Sequence, residues 1–160
     1  MPQIEEHIKW CLKDQRRLKI VKPDSELAQM HLKKSEYNYE VMQNLENQKI
    51  YDWALNVGFY AIYHCFLALL AKYGYESRNQ SCTITVLLTL IEEKKLDIDK
   101  DLIMQFDNLD IEKNIENPTV RDAREISTYG VQTSIDLQQL NKIKELIVKV
   151  QRETIKILEG

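Results

Sequence analysis

Residues 53–71 form an apolar run in which only Asn56 and His64 are strongly polar. Nineteen residues is close to the shortest helix that crosses a bilayer. The run also contains Gly58, Tyr60 and Tyr63, and no other segment resembles it. Those features fit a helix buried on all sides at the centre of a bundle, so no membrane association is expected. The chain has 160 residues, with 4 Gly and 3 Pro. A chain that size buries roughly 70% of its unfolded surface as one domain. So few turn residues favour long helices with short connections. The expectation is one all-α domain over 1–160, an antiparallel up-and-down bundle of five to seven helices.

Apolar residues recurring every three or four positions place these helices. The first covers residues 3–18, with Ile4, Ile8, Cys11 and Leu12 on one side and Lys9, Lys13, Arg16 and Arg17 on the other. After Pro23, Asp24 or Ser25 caps a second helix reaching about residue 47. The apolar helix spans about 49–73 and ends at Gly74, followed by a loop over 75–80. Ser81 or Thr83 caps a fourth helix through Lys95, and Asp99 caps a short one carrying Ile103, Phe106 and Leu109. Residues 112–117 read as a loop, and Pro118 and Gly130 bound another short helix. Asp136 and Gln139 make a capping box for the last helix. There Leu140, Ile143, Ile147, Val150, Thr154 and Ile157 form a seam, suited either to the core or to pairing with a second copy.

Net charge is −3, which argues against a general nucleic-acid binder and leaves room for a local basic patch. Cys11, Cys65 and Cys82 are odd in number, far apart and without a Cys-x-x-Cys pair, so no metal site is expected. The start, Met1-Pro2-Gln3-Ile4-Glu5-Glu6, has acidic residues where a signal peptide needs a basic end and an apolar run, so a reducing cytoplasm is the expected setting. No glycine-rich phosphate loop, Gly-x-Ser-x-Gly elbow or His-Glu-x-x-His motif occurs, so no cofactor is expected.

Four constellations carry possible chemistry. Asn56, Tyr60 and His64 are spaced by four and form one polar stripe on the apolar helix, which either bonds to neighbouring helices or lines a cleft. His64 adjoins Cys65, but neighbouring helical residues point about 100° apart, so they form no couple. Arg121 and Arg124 share a helix face, suited to a phosphate, although Glu125 is placed to pair with Arg121. Arg78 and Asn79 precede a helix start, where backbone amides favour an anion. The basic stripe of the first helix suits an acidic partner or RNA, diluted by Glu5, Glu6 and Asp14.

The run Trp53-Ala54-Leu55-Asn56-Val57-Gly58-Phe59-Tyr60-Ala61-Ile62-Tyr63-His64 leads into Ala68-Leu69-Leu70-Ala71 and then Lys72-Tyr73-Gly74-Tyr75. A polar loop with Ser77-Arg78-Asn79 follows. This order resembles the central helix and following loop of HEPN domains, and the likeness returns between Arg121 and Tyr129. It spans about residues 25–155. The resemblance implies a helical bundle that dimerises. It also implies either a ribonuclease of toxin–antitoxin and defence systems or a non-catalytic partner of a small nucleotidyltransferase. The family's nucleases carry an arginine, four to six residues, then a histidine. Arg124 matches that arginine, and Tyr129 stands where the histidine belongs. An unperturbed tyrosine titrates near pH 10 and is a poor base at neutrality.

The resemblance therefore implies a homodimeric binding module that holds a nucleotide or RNA phosphate through Arg78, Asn79, Arg121 and Arg124. Asn56, Tyr60, His64 and Tyr129 would line its cleft, and a nucleotidyltransferase would be its partner. The first alternative is a metal-independent ribonuclease using Arg124, Tyr129 and His64. The second is a structural protein pairing through its last helix.

Overall fold

The computed structural model describes residues 2–107, 119–129 and 137–160. In chain order these form α1 (Pro2–Leu12), β1 (Leu18–Ile20), α2 (Ser25–Asn47), α3 (Tyr51–Tyr73) and β2 (Tyr75–Ser77). Then come α4 (Gln80–Glu92), α5 (Lys100–Phe106), α6 (Val120–Tyr129) and α7 (Leu137–Glu159). The architecture is an all-α bundle carrying one two-stranded antiparallel ladder, with Leu18 opposite Ser77 and Ile20 opposite Tyr75.

The bundle is organised around α3. Its Leu55, Phe59, Ile62, Phe66 and Leu69 are fully buried, and it packs against α2, α6, α7 and α4. By length and composition α3 is able to cross a membrane, but 67% of its apolar window is buried among its neighbours. Burial is not complete all round, contrary to the expectation of a helix buried on all sides. Trp53 and Tyr60, seven residues apart on one face, are 54% and 39% exposed. Gly74 ends α3 in the left-handed conformation at φ 86°. Asp24 caps α2 by accepting from the Leu27 amide, and Asp99 caps α5 through the Asp101 amide. The α7 seam is used within the chain: Leu140, Ile143, Ile147, Val150 and Thr154 are buried, with α7 packed on α3 and α2. That seam is therefore not available to a second copy.

Four local features differ from expectation or go beyond it. The first helix stops at Leu12, because Asp14 accepts from the Arg16 amide and turns the chain back toward β1. The cap of α4 is Asn79, whose Oδ1 accepts from the Cys82 amide, rather than Ser81 or Thr83. That helix closes at Glu92, just before Lys94 enters the left-handed region at φ 60°. Cys11 and Cys82, 71 residues apart, are joined by a disulfide because α1 packs against α4. The expectations on Leu109, 112–117, Pro118, Gly130 and Asp136 lie outside the described residues.

Candidate functional site

The α3–α6 contact begins with helix periodicity. Asn56, Phe59 and Tyr63 follow one another at three and four residues and share a face of α3. Thr128 stands four after Arg124 on α6. The Thr128 hydroxyl donates to Asn56 Oδ1 at 3.4 Å, and the Arg124 guanidinium lies 4.4 Å above the Phe59 ring. A cation over an aromatic face contributes about 0.5–2 kcal/mol, more as water is excluded. Phe59 is itself held by stacking on Phe106 at 4.8 Å and on Tyr63 at 5.9 Å. The Tyr63 hydroxyl is hydrogen-bonded to Thr83 at 3.0 Å, and burial pushes its pKa up.

Arg121, one turn before Arg124, meets two carboxylates. Its Nη1 lies 2.9 Å from Asp107 Oδ2, and its Nε lies 3.5 Å from Glu125. Asp107 is buried, which raises its pKa although Arg121 pulls the other way. The expected Arg121–Glu125 pair is present, and Asp107 adds a second carboxylate from the end of α5. Arg121 thus fastens α6 to the bundle with its charge largely offset, while Arg124 lies against the aromatic face.

The polar stripe of α3 divides between neighbours. Each four-residue step turns the helix about 40° further, so eight residues suffice to move from one neighbour to the next. Asn56 faces α6, Tyr60 is exposed, and His64 faces α2. His64 Nδ1 lies 3.0 Å from His31 Nδ1, so one ring donates to the other. Burial first, then His31 and Lys34, pull the His64 pKa down to about 4, and burial lowers that of His31. His64 is therefore neutral at pH 7 and engaged with α2 rather than with the arginines.

Arg78 lies in an exposed pair with Glu76 at 3.7 Å, a contact worth little in water. Asn79 directs its side-chain oxygen at the start of α4, where it accepts from Ser81 Oγ and the Cys82 amide. That cap occupies the position expected to hold an anion. Along α1 and its turn, Asp14 binds Arg16 at 2.9 Å and is held at a pKa of about 2. Arg17 sits 3.7 Å over the Trp10 ring, so the expected basic stripe is broken into separate contacts. Tyr129 is the last residue of α6, and its side chain lies outside the described set. Phe59, Thr128, His31 and Asp107 were not singled out in the sequence. Phe59 alone had a readable signal there, its position three residues after Asn56.

The HEPN domain family model matches residues 28–158. No curated protein matches the chain.

Proposed function

The chain belongs to the HEPN domain family, and from that premise we propose that it is a non-catalytic binding module acting as a homodimer. It holds a nucleotide or an RNA phosphate beside the α3–α6 contact and works with a partner, a small nucleotidyltransferase. The observation that carries this reading is Arg124, whose guanidinium lies over Phe59 next to the Asn56–Thr128 bond. An arginine so placed offers a planar, permanently charged fork for a phosphate. Tyr60, exposed on the following turn of α3, offers a ring on which a base stacks. The non-catalytic part rests on Tyr129 standing where the family's nucleases carry histidine, and on His64 being turned to His31. In the net-negative chain, binding depends on this local site rather than on overall charge. A cytoplasmic setting belongs to the same proposal, and there Cys11 and Cys82 would be held as thiols rather than as the disulfide.

The test is titration of fluorescent single-stranded RNA and of nucleotides with wild type and Arg124→Ala, after confirming that both fold. Saturable binding weakened about 10–100-fold in the variant is expected, the loss of one charge-assisted contact. Equal binding by both proteins, or no saturation by either, removes the reading. RNA cleavage that disappears in Arg124→Ala replaces it with a ribonuclease working without the motif histidine.

A further inference from the structure

Three groups from distant parts of the chain meet where α1 reaches the start of α4. His7 and Cys11 stand four residues apart on one face of α1, and Cys82 lies in the first turn of α4. One imidazole nitrogen and the two sulfurs all lie within 4.8 Å of one another. In this structure the sulfurs are bonded to each other.

His7 is fixed by groups outside this trio. Asn79 Oδ1 only accepts, so it takes the Ser81 hydroxyl proton at 2.7 Å. The Ser81 oxygen is then left to accept from His7 Nε2–H at 3.2 Å. That bond leaves His7 Nδ1 with its lone pair. Metal-ligating histidines carry this same feature, one ring N–H held by an outer partner and the other nitrogen open. Trp10 stacks on the imidazole at 5.3 Å with 18° between the planes and fixes its orientation further. Both sulfurs are fully buried and the imidazole is partly so.

We infer that, when reduced, this corner is a zinc site with Cys11 Sγ, Cys82 Sγ and His7 as ligands. Two thiolates, one imidazole and a water in the fourth position form a tetrahedral zinc donor set. The soft sulfur ligands select zinc over magnesium or calcium. Two thiolates also neutralise the ion, so the Arg17 cation seated over Trp10 faces a neutral centre. A thiol or phosphine reductant supplies two electrons, two protons are taken up, and the sulfur–sulfur bond becomes two thiols. Zn2+ then replaces both thiol protons, which leave to solvent. Oxidation by a disulfide-class oxidant removes two electrons, re-forms the bond and expels the ion. Disulfide and zinc site are thus alternative states of the same sulfurs. His7 and Cys11 lie outside the family-matched residues 28–158, so the site does not follow from the family match.

The test uses the full chain in its two redox states, with Co2+ as the spectroscopic probe for Zn2+. Oxidised protein is compared with protein reduced by a phosphine that is then removed under anaerobic conditions. The reduced form is expected to bind one equivalent of Co2+ with a thiolate-to-cobalt charge-transfer band, and Zn2+ to displace it. The oxidised form gives no band. His7→Ala, reduced in the same way, weakens binding by more than the ~10–100-fold typical of losing an outer partner alone. Circular dichroism checks that helicity persists in each sample. Absence of the band from reduced, helical wild type overturns the site, and equal binding by His7→Ala overturns the role of the imidazole. Because both comparisons use the native cysteines, neither depends on a cysteine variant that fails to fold.

Discussion

Gly74 shows how a single residue sets the path of the chain. Its φ of 86° closes α3, and its carbonyl accepts from the Val21 amide at 2.9 Å. A Cβ placed there would stand 2.7 Å from the Val21 carbonyl oxygen, a backbone atom with little room to move. Gly74→Ala thus combines left-handed strain with a clash, and a loss of about 1–3 kcal/mol is expected in urea unfolding. An unchanged midpoint would remove the argument. This glycine was legible in the sequence, because it directly follows the last apolar turn of a long helix. Gly58 was not: a Cβ there would meet Met42 Sδ at 2.9 Å, a contact made only when α2 packs on α3. The His31–His64 pair was equally hidden, since its partners are 33 residues apart. Burial lowers both pKa values, to about 4 for His64, so the folded chain prefers neutral rings. The unfolded chain titrates its histidines near pH 6.5. The stability these rings contribute is therefore complete above pH 6.5 and drains away as pH falls from 6.5 toward 4. Because both rings are partly open to solvent, the His64 share is about 1–2 kcal/mol, below the full linkage value. His64→Gln is expected to flatten that stretch of the stability–pH curve measured by urea unfolding. A wild-type slope in the variant would show that the pair does not carry the effect.

Among the elements, α6 depends most on polar contacts. The described side chains it buries are small, Val120 and Ala123. Its position is set instead by Arg121 on Asp107 and by Arg124 and Thr128 on α3. Arg121→Ala leaves the Asp107 carboxyl buried without its cation, and burial then pushes its already raised pKa further up. A loss of about 1–3 kcal/mol is expected, below the cost of breaking a fully buried pair because Arg121 is 35% exposed. In a double-mutant cycle, Asp107→Asn recovers part of that loss, since an amide needs no cation. Simple additivity of the two changes would show that the ion pair does not hold α6. The long helices were legible from their apolar periodicity, the cap at Asp24 and the Gly74 stop, and the short α5 from its cap at Asp99. The β1–β2 ladder was not, because three-residue strands are too short to show alternation. The Arg121–Asp107 contact was not legible either, because it joins two helices across residues 108–118.

At the scale of the whole molecule, the segment before α2 lies outside the family match and is tied to the bundle by several long-range contacts. Lys19 pairs with Glu76 in the ladder, the Val21 amide bonds to Gly74, and Cys11 bonds to Cys82. Sequence spacing shows none of these ties, since each joins residues more than fifty positions apart. Together they place His7 against the start of α4, while the α3–α6 site is built from α3 onward. Among the described residues, Thr83 of α4 links the two regions by bonding to Tyr63 on one side and to Ser77 and Asn79 on the other. This arrangement predicts a graded response to reduction in the absence of metal. Opening a cross-link between residues 71 positions apart restores loop entropy to the unfolded chain, a loss of about 2–4 kcal/mol in stability. The native packing that weakens first is that of α1, which buries Ile4 and Cys11 but leaves Trp10 and Leu12 exposed. Hydrogen exchange under phosphine is therefore expected to accelerate over residues 2–20, while the amides at the centre of α3 keep their protection relative to the lowered global stability. Acceleration spread evenly over α1 and α3 would mean that reduction acts only through the global equilibrium, with no separate opening of the N-terminal segment. Adding Zn2+ to the reduced chain is expected to restore protection over residues 2–20, because the ion ties α1 to α4 through the same two sulfurs.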